Sequence, residues 1–88
     1  MSRRRVVVTG MGVVAPCGIG LDAYWQGLLS TPEPGIRRVD EFDPTPYFDN
    51  PKEVRRTDRF AQFGLAAAAM AIEHAGDLKA DPARIGVN

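Results

Sequence analysis

Four stretches of this 88-residue chain have hydrophobic patterns that predict regular structure. Residues 5–9 are mostly valine, which is typical of a strand buried on both faces. Apolar residues at helical spacing predict a short helix over residues 21–29 and a long one over residues 58–75. A second strand pattern begins at residue 85. We therefore predict an α/β fold in which the two strands pair in parallel, because helices separate them.

The ends of the long helix and the segment before it are marked by turn residues. Thr57 or Asp58 is positioned to cap the helix, and Gly76 is positioned to end it. Prolines at positions 32, 34, 44 and 46 exclude any long regular element from residues 30–50. We expect this loop to be held against the body of the protein by three aromatic side chains, Phe42, Tyr47 and Phe48.

Two strands do not make a stable parallel sheet, because such sheets need several strands covered by helices on both faces. A domain of this length also buries only about 60 to 65% of its unfolded surface. We therefore expect residues 1–88 to be the N-terminal segment of a larger domain, incomplete on its own.

Charge and cysteine content narrow the class of protein. Eleven basic and eleven acidic side chains cancel, which disfavours general nucleic-acid binding. A single cysteine gives no disulfide framework, and no apolar run approaches the about 18 residues of a membrane span. The valine run breaks at Thr9 and Gly10, short of the about 7 to 15 apolar residues of a secretory signal. A cytoplasmic protein is expected.

The glycine-rich stretch after the valine run allows three interpretations: a phosphate-binding loop, a loop presenting the nucleophile Cys17, or a structural turn. Residues 10–15 match the dinucleotide fingerprint, but Pro16, Gly18 and Gly20 fall where the phosphate-binding helix would run. Cys17 needs a nearby activating group, and the only histidine, His74, ends the long helix. We predict a structural turn, a packed cysteine, and a His74 that is packed or acts as a C-terminal cation. No cofactor or metal site is expected.

Five blocks in a fixed order carry a family resemblance. They are residues 4–16 with Gly18, the group Tyr24, Trp25, Leu28 and Leu29, the pair Phe42 and Asp43, residues 55–63, and residues 84–87. Together they resemble the start of an elongating beta-ketoacyl-acyl-carrier-protein synthase of the fatty-acid synthase II type. Ketosynthases of aromatic polyketide pathways begin in a similar way.

The resemblance implies a thiolase-like layered fold, homodimeric when full length, and a decarboxylating Claisen condensation. The partners it implies are acyl carrier protein and the acyl and malonyl thioesters. In this family the nucleophilic cysteine and two histidines lie beyond the point where this sequence ends. Cys17 and His74 match none of them, so no catalytic residue is expected here and residues 1–88 alone are expected to be inactive.

One functional site is expected within the chain. The family carries a basic patch before and at the start of the long helix that docks the acidic carrier protein, and the matching positions are Lys52, Arg55 and Arg56. The alternative is a solvated helix start in which these cations pair with their acidic neighbours, Asp49, Glu53 and Asp58. Cations at a helix N-terminus are mildly unfavourable, which favours use in docking.

The match departs from the family pattern at residues 36–41, where many relatives have a longer segment. A shorter segment is either branch variation or a change at the dimer edge or the carrier-protein mouth. Two other classes remain open: a non-catalytic carrier-protein-binding relative resembling a chain-length factor, and, well behind, a nucleotide-binding enzyme. A cysteine followed by two histidines beyond Asn88 would indicate a synthase, whereas a glutamine replacing that cysteine would indicate the non-catalytic relative.

Overall fold

The computed structural model describes residues 3–31 and 34–88. Two short strands, β1 (Val14–Ala15) and β2 (Gly18–Ile19), precede three helices, α1 (Leu21–Leu29), α2 (Pro51–Arg56) and α3 (Arg59–Ala75). Single 3₁₀ turns occur at Thr45–Tyr47 and Pro82–Arg84. β1 and β2 form an antiparallel hairpin with Val14 opposite Ile19 and Ala15 opposite Gly18.

The two predicted strands at residues 5–9 and 85–88 are not formed. Neither segment has regular secondary structure or ladder hydrogen bonds, and the side chains of Val6 and Val87 are 93% and 102% exposed. Among the described residues, the hairpin is the only strand pair, so the expected parallel pairing is also wrong. A valine-rich sequence becomes a strand only where partner strands accept its backbone bonds, and an isolated parallel pair is too weak to supply them.

The two helices predicted from apolar spacing are confirmed. α1 has the predicted bounds, and α3 starts one residue later than predicted because Asp58 occupies the N-cap position. The Asp58 side chain makes no capping hydrogen bond. Gly76 ends α3 with φ of 76°, a left-handed conformation that glycine adopts without strain.

Helix α2 was not predicted. Asn50 caps it by accepting a hydrogen bond from the Lys52 N–H at 3.0 Å, and Pro51 occupies its first turn, where the missing N–H is harmless. These start signals are present in the sequence. The helix is six residues long, which is too short for apolar periodicity to reveal it.

The loop before α2 has the predicted irregular structure over its described residues, while Pro32 and Glu33 lie outside them. Phe42 is 7% exposed and stacks on Tyr47, with ring centroids 6.1 Å apart. Its ring also meets the edge of Phe63 on α3 at 5.4 Å. Tyr47 and Phe48 are half-buried. Aromatic anchoring of the loop is therefore confirmed, with Phe42 as its centre.

The N-terminal segment crosses α3 at very short range. A Cβ atom at Gly12 would overlap the Ala67 carbonyl oxygen and would lie 2.8 Å from the Ala71 nitrogen. At Gly10 it would overlap the Ala71 carbonyl oxygen and lie 2.7 Å from the Ala75 nitrogen. The alanines recur every four residues and form one small-residue stripe on α3. These two glycines therefore serve close backbone packing rather than the turn that the sequence predicted.

The described residues form an open arrangement. The radius of gyration is 16.0 Å, against about 12 Å for a compact domain of this length. Among these residues, the buried hydrophobic side chains are Phe42 and Ala66, whereas Trp25, Leu28 and Leu29 on α1 are mostly exposed. The buried Phe42 and Gln62 lie where the loop, α2 and the start of α3 meet, and this is also where the predicted docking residues lie.

Candidate functional site

The three predicted docking residues lie together on α2. Lys52, Arg55 and Arg56 are exposed and are spaced three and four residues apart, which places them on one face of the helix. Val54 lies on the opposite side and is half-buried. We call the three cations the basic face of α2.

The basic face is not engaged with the rest of the described chain. Over residues 3–31 and 34–88, the side-chain hydrogen bonds around α2 are made by Asn50, Thr57 and Gln62. No hydrogen bond there joins a side-chain nitrogen of the three cations to one of the three acidic neighbours. The structure therefore gives no support to the ion-paired alternative, and the three charges point into solvent.

One physical argument made from the sequence needs correction. Arg55 and Arg56 lie in the last turn of α2 and not at the start of α3. The carbonyl end of a helix favours cations, so these two arginines are in a mildly favourable position. The sequence argument from repulsion at a helix start therefore does not apply to them.

Gln62 joins α2 to α3. Its side chain is 7% exposed, and its amide nitrogen donates to the Val54 carbonyl at 3.0 Å and to the Thr57 carbonyl at 3.1 Å. The Thr57 hydroxyl donates to the Glu53 carbonyl at 2.6 Å. Carbonyls at the end of a helix lack the usual partner one turn further on, and these bonds supply one, in addition to the Thr57 N–H that reaches the Val54 carbonyl at 3.4 Å. The end of α2 is thereby fixed to α3.

Arg59 fixes the preceding loop at the same place. Its guanidinium lies 5.2 Å from the ring centroids of both Phe42 and Phe63, a distance at which cation–π attraction operates. Its Nη2 donates to the Val39 carbonyl at 3.3 Å, and its Nη1 donates to Gln62 Oε1 at 3.3 Å. We call Phe42, Arg59, Gln62 and Phe63 the junction. Through it the loop, α2 and α3 hold one arrangement.

Asp43 precedes the 3₁₀ turn next to the junction. Hydrogen bonds from the Thr45 side chain and then from the Thr45 backbone N–H, the latter at 3.0 Å, hold the pKa of Asp43 below its usual value. Both bonds favour the ionised carboxylate. The group is fully exposed, so this is a local turn contact and not a catalytic arrangement.

Cys17 and His74 lie in different surroundings. Cys17 is half-buried in the β1–β2 turn and lines a groove of about 500 Å³ with Arg38 and Asp40. The His74 Nδ1 accepts a hydrogen bond from the Met11 backbone N–H at 3.0 Å. His74 is an exposed residue in the last turn of α3 that accepts a hydrogen bond from the N-terminal segment. In the described part of the chain, no group of three His, Cys, Asp or Glu side chains is placed to bind a metal ion.

Comparisons with known proteins find the same family that the sequence blocks resemble. The family model described as the N-terminal domain of beta-ketoacyl synthase matches residues 3–49 and 31–88. A Streptomyces coelicolor protein named as an actinorhodin polyketide beta-ketoacyl synthase is 40% identical over 103 positions, covering 98% of this chain and 22% of the relative. The 3-oxoacyl-[acyl-carrier-protein] synthase 2 of Vibrio cholerae is 38% identical, covering 99% of this chain and 25% of the relative.

The matches cover only part of each relative. The 3-oxoacyl-[acyl-carrier-protein] synthase 2 of Synechocystis is 36% identical over 99% of this chain and again 25% of its own length. This chain therefore spans about a quarter of the curated relatives it matches. No solved structure matches it significantly. Among the described residues, no helix has both the length and the apolar character needed to cross a bilayer.

The alignments also bear on the predicted short segment. They extend over 103 positions for the Streptomyces protein, while the chain has 88 residues, so that relative has at least 15 positions without a counterpart here. The two matches to the family model overlap at residues 31–49, so the break between its matched parts lies in that region. This supports a shortened loop within residues 31–49, a wider range than the predicted residues 36–41.

Proposed function

This chain belongs to the beta-ketoacyl synthase family through the N-terminal domain of that family, and we propose that it carries the surface on which such an enzyme docks its acyl carrier protein. The proposed enzyme condenses an acyl thioester with malonyl-carrier protein, releasing carbon dioxide and lengthening the acyl chain by two carbons. The pathway is fatty-acid or polyketide elongation, since relatives with both kinds of name match the chain.

Residues 1–88 are proposed to be the N-terminal segment of a thiolase-like, homodimeric, cytoplasmic enzyme and to be inactive alone. The catalytic cysteine and the two histidines are assigned to residues beyond Asn88. Within the chain, Cys17 and His74 have structural roles, because Cys17 occupies a turn and the His74 Nδ1 is used by the backbone.

The observation that carries the docking assignment is the basic face of α2. Three exposed cations on one side of a short helix attract an anionic partner, and the names of the Vibrio and Synechocystis relatives include acyl carrier protein. Charges at the rim of an interface act mainly on the rate of encounter and on its dependence on salt. A docking role therefore predicts strong salt dependence.

The test reverses the three charges in the full-length protein, as Lys52→Glu, Arg55→Glu and Arg56→Glu together. The measured quantity is the Kd for acyl carrier protein across a range of salt concentrations. We expect binding at low salt to weaken by about tenfold, and the salt dependence to flatten, because each exposed ion pair contributes about 0.2–1 kcal/mol.

A matched control reverses the charges of Arg3, Arg4 and Arg5, which are exposed cations on a different segment. It changes the net charge of the protein by the same amount as the first triple variant. This control is expected to leave the Kd within about twofold of the unmodified protein, because its charges lie outside the basic face. Equal effects of the two triple variants would overturn the docking assignment.

A further inference from the structure

We propose that Gln62 is a positioning residue for carrier-protein docking: it sets the orientation of the basic face of α2 without contacting the partner. The inference rests on the docking function proposed above. A nearly buried side chain on α3 would then affect how tightly the protein binds a carrier-bound substrate, and how strongly it prefers that substrate to one without the carrier protein.

Helix α2 needs an external support. It has six residues, and a helix that short is not stable through its own hydrogen bonds. Its first turn is closed by Asn50, but this local bond does not fix the direction of the helix relative to α3. Orientation must therefore come from contacts between α2 and other elements.

Gln62 makes those contacts where they matter for the basic face. Its amide nitrogen bonds the carbonyls of Val54 and Thr57, which lie on either side of Arg55 and Arg56 in the sequence. Holding both carbonyls fixes the backbone between them. The direction in which the two arginines leave the helix is thereby fixed as well.

The chemistry of the site requires an amide. Both protons of the Gln62 nitrogen are donated to carbonyls, while its oxygen accepts from Arg59 Nη1 at 3.3 Å. A carboxylate would present oxygen to the two carbonyls, and a thioether would donate to neither, leaving the Val54 carbonyl with only the longer bond from the Thr57 N–H at 3.4 Å. Arg59 itself packs against two aromatic rings, so it keeps the amide in the orientation that donates towards α2.

Loss of these bonds is expected to loosen α2 and not the reaction centre. A mobile basic face must be ordered again each time the carrier protein binds, and that entropy is subtracted from the affinity. A substrate that brings no carrier protein does not use the basic face. The two kinds of substrate should therefore respond differently, which a general loss of stability would not produce.

The experiment compares full-length Gln62→Met with the unmodified enzyme in the acylation half-reaction. The same octanoyl group is supplied on acyl carrier protein or as a pantetheine thioester, which lacks the protein surface. We expect kcat/KM for octanoyl-carrier protein to fall by at least about fivefold through a higher KM, since two ordinary hydrogen bonds at the low end of their range correspond to that change. The value for the pantetheine thioester should stay within about twofold. An equal fall for both substrates would overturn the positioning role.

The triple charge-reversal variant separates this inference from the proposed function. In that background, Gln62→Met should cause no further loss with octanoyl-carrier protein, because the face it orients is already gone. If charge reversal weakens docking while Gln62→Met leaves both substrates unchanged, docking stands and the role of Gln62 is refuted. If charge reversal itself has no effect, the proposed function fails first.

A second variant covers the case in which Gln62→Met does not fold. Gln62→Glu keeps the length and polarity of the side chain but loses both N–H donors. The same selective fall with the carrier-bound substrate is expected from it, and an equal response of the two substrates would again refute the proposal.

Discussion

Alanine at Gly12 tests the close crossing of the N-terminal segment over α3. The new Cβ atom would overlap the Ala67 carbonyl oxygen and lie 2.8 Å from the Ala71 nitrogen, where ordinary contact needs about 3.5–4.0 Å. The segment must therefore move out by roughly 1 Å. That displacement stretches the bond from the Met11 N–H to the His74 Nδ1 from 3.0 Å towards about 4 Å, which is beyond hydrogen-bonding range.

The expected destabilisation has two parts. Overpacking by one carbon typically costs about 1–3 kcal/mol, and one ordinary hydrogen bond contributes about 0.5–1.5 kcal/mol. We therefore expect Gly12→Ala to lower the free energy of unfolding by about 2–4 kcal/mol.

Gly64 provides a matched control on the same helix. A Cβ there meets nothing within 4 Å among the described residues, and alanine in a helix interior is favoured over glycine by about 0.5–1 kcal/mol. Gly64→Ala should therefore stabilise the protein.

The assay is urea denaturation of the full-length protein, with hydrogen exchange of the peptide containing Met11 as a local probe. The midpoint should fall for Gly12→Ala and rise for Gly64→Ala, without a change in the dependence of unfolding free energy on urea. Exchange at Met11 should accelerate only in Gly12→Ala. A neutral Gly12→Ala, with unchanged exchange, would refute the close crossing.

Three further predictions address the junction, the turn and the isolated chain. Arg59→Lys keeps the charge but loses the planar group that packs against Phe42 and Phe63. It should lower the free energy of unfolding by about 1–2 kcal/mol in urea denaturation, and a neutral result would argue against the cation–π contacts. In a ¹³C titration, the pKa of the Asp43 carboxyl should lie below 3.8 and should rise in Thr45→Val. Any stability that this carboxylate contributes is then present above pH 3.8 and is lost as the pH falls through the pKa of the folded state. A titration midpoint at or above 3.8 would contradict this. Residues 1–88 alone should show no cooperative thermal transition as a monomer, because few apolar side chains are buried, and a sharp reversible transition by circular dichroism would contradict their proposed incompleteness.

Local signals in the sequence were sufficient for the helices and the loop. The spacing of apolar residues predicted α1 and α3, and Gly76 predicted the end of α3. The prolines predicted the irregular segment before α2. The aromatic anchor Phe42 was recognised because an aromatic ring in a polar loop is stable only when packed.

Features that depend on distant partners were not predictable in the same way. Valines at residues 5–9 have strand composition, but a strand exists only where a second strand accepts its hydrogen bonds. Gly10 and Gly12 were interpreted as turn residues, since the alanines that require them lie more than fifty positions away. Their packing against α3 became visible only in the structure.

The candidate site shows the same division. The residues of the basic face were assigned through family resemblance, but the helix that aligns them was missed because it is short. Gln62 was missed altogether. One signal was present: it is a lone polar residue within the apolar spacing of α3, one residue before Phe63 and four before the buried Ala66. Its partners, the carbonyls of α2, belong to the backbone and leave no trace in side-chain patterns.

Contact between the basic face of α2 and an acidic carrier protein is tested most directly by a charge swap at Arg55. Arg55→Glu in the full-length protein is combined with carrier proteins in which single acidic residues are changed to lysine, and Kd is measured for every pair. We predict that at least one lysine variant binds Arg55→Glu more tightly than the unmodified carrier does, while binding the unmodified enzyme more weakly. Strictly additive effects at every acidic position of the carrier would contradict docking at this face.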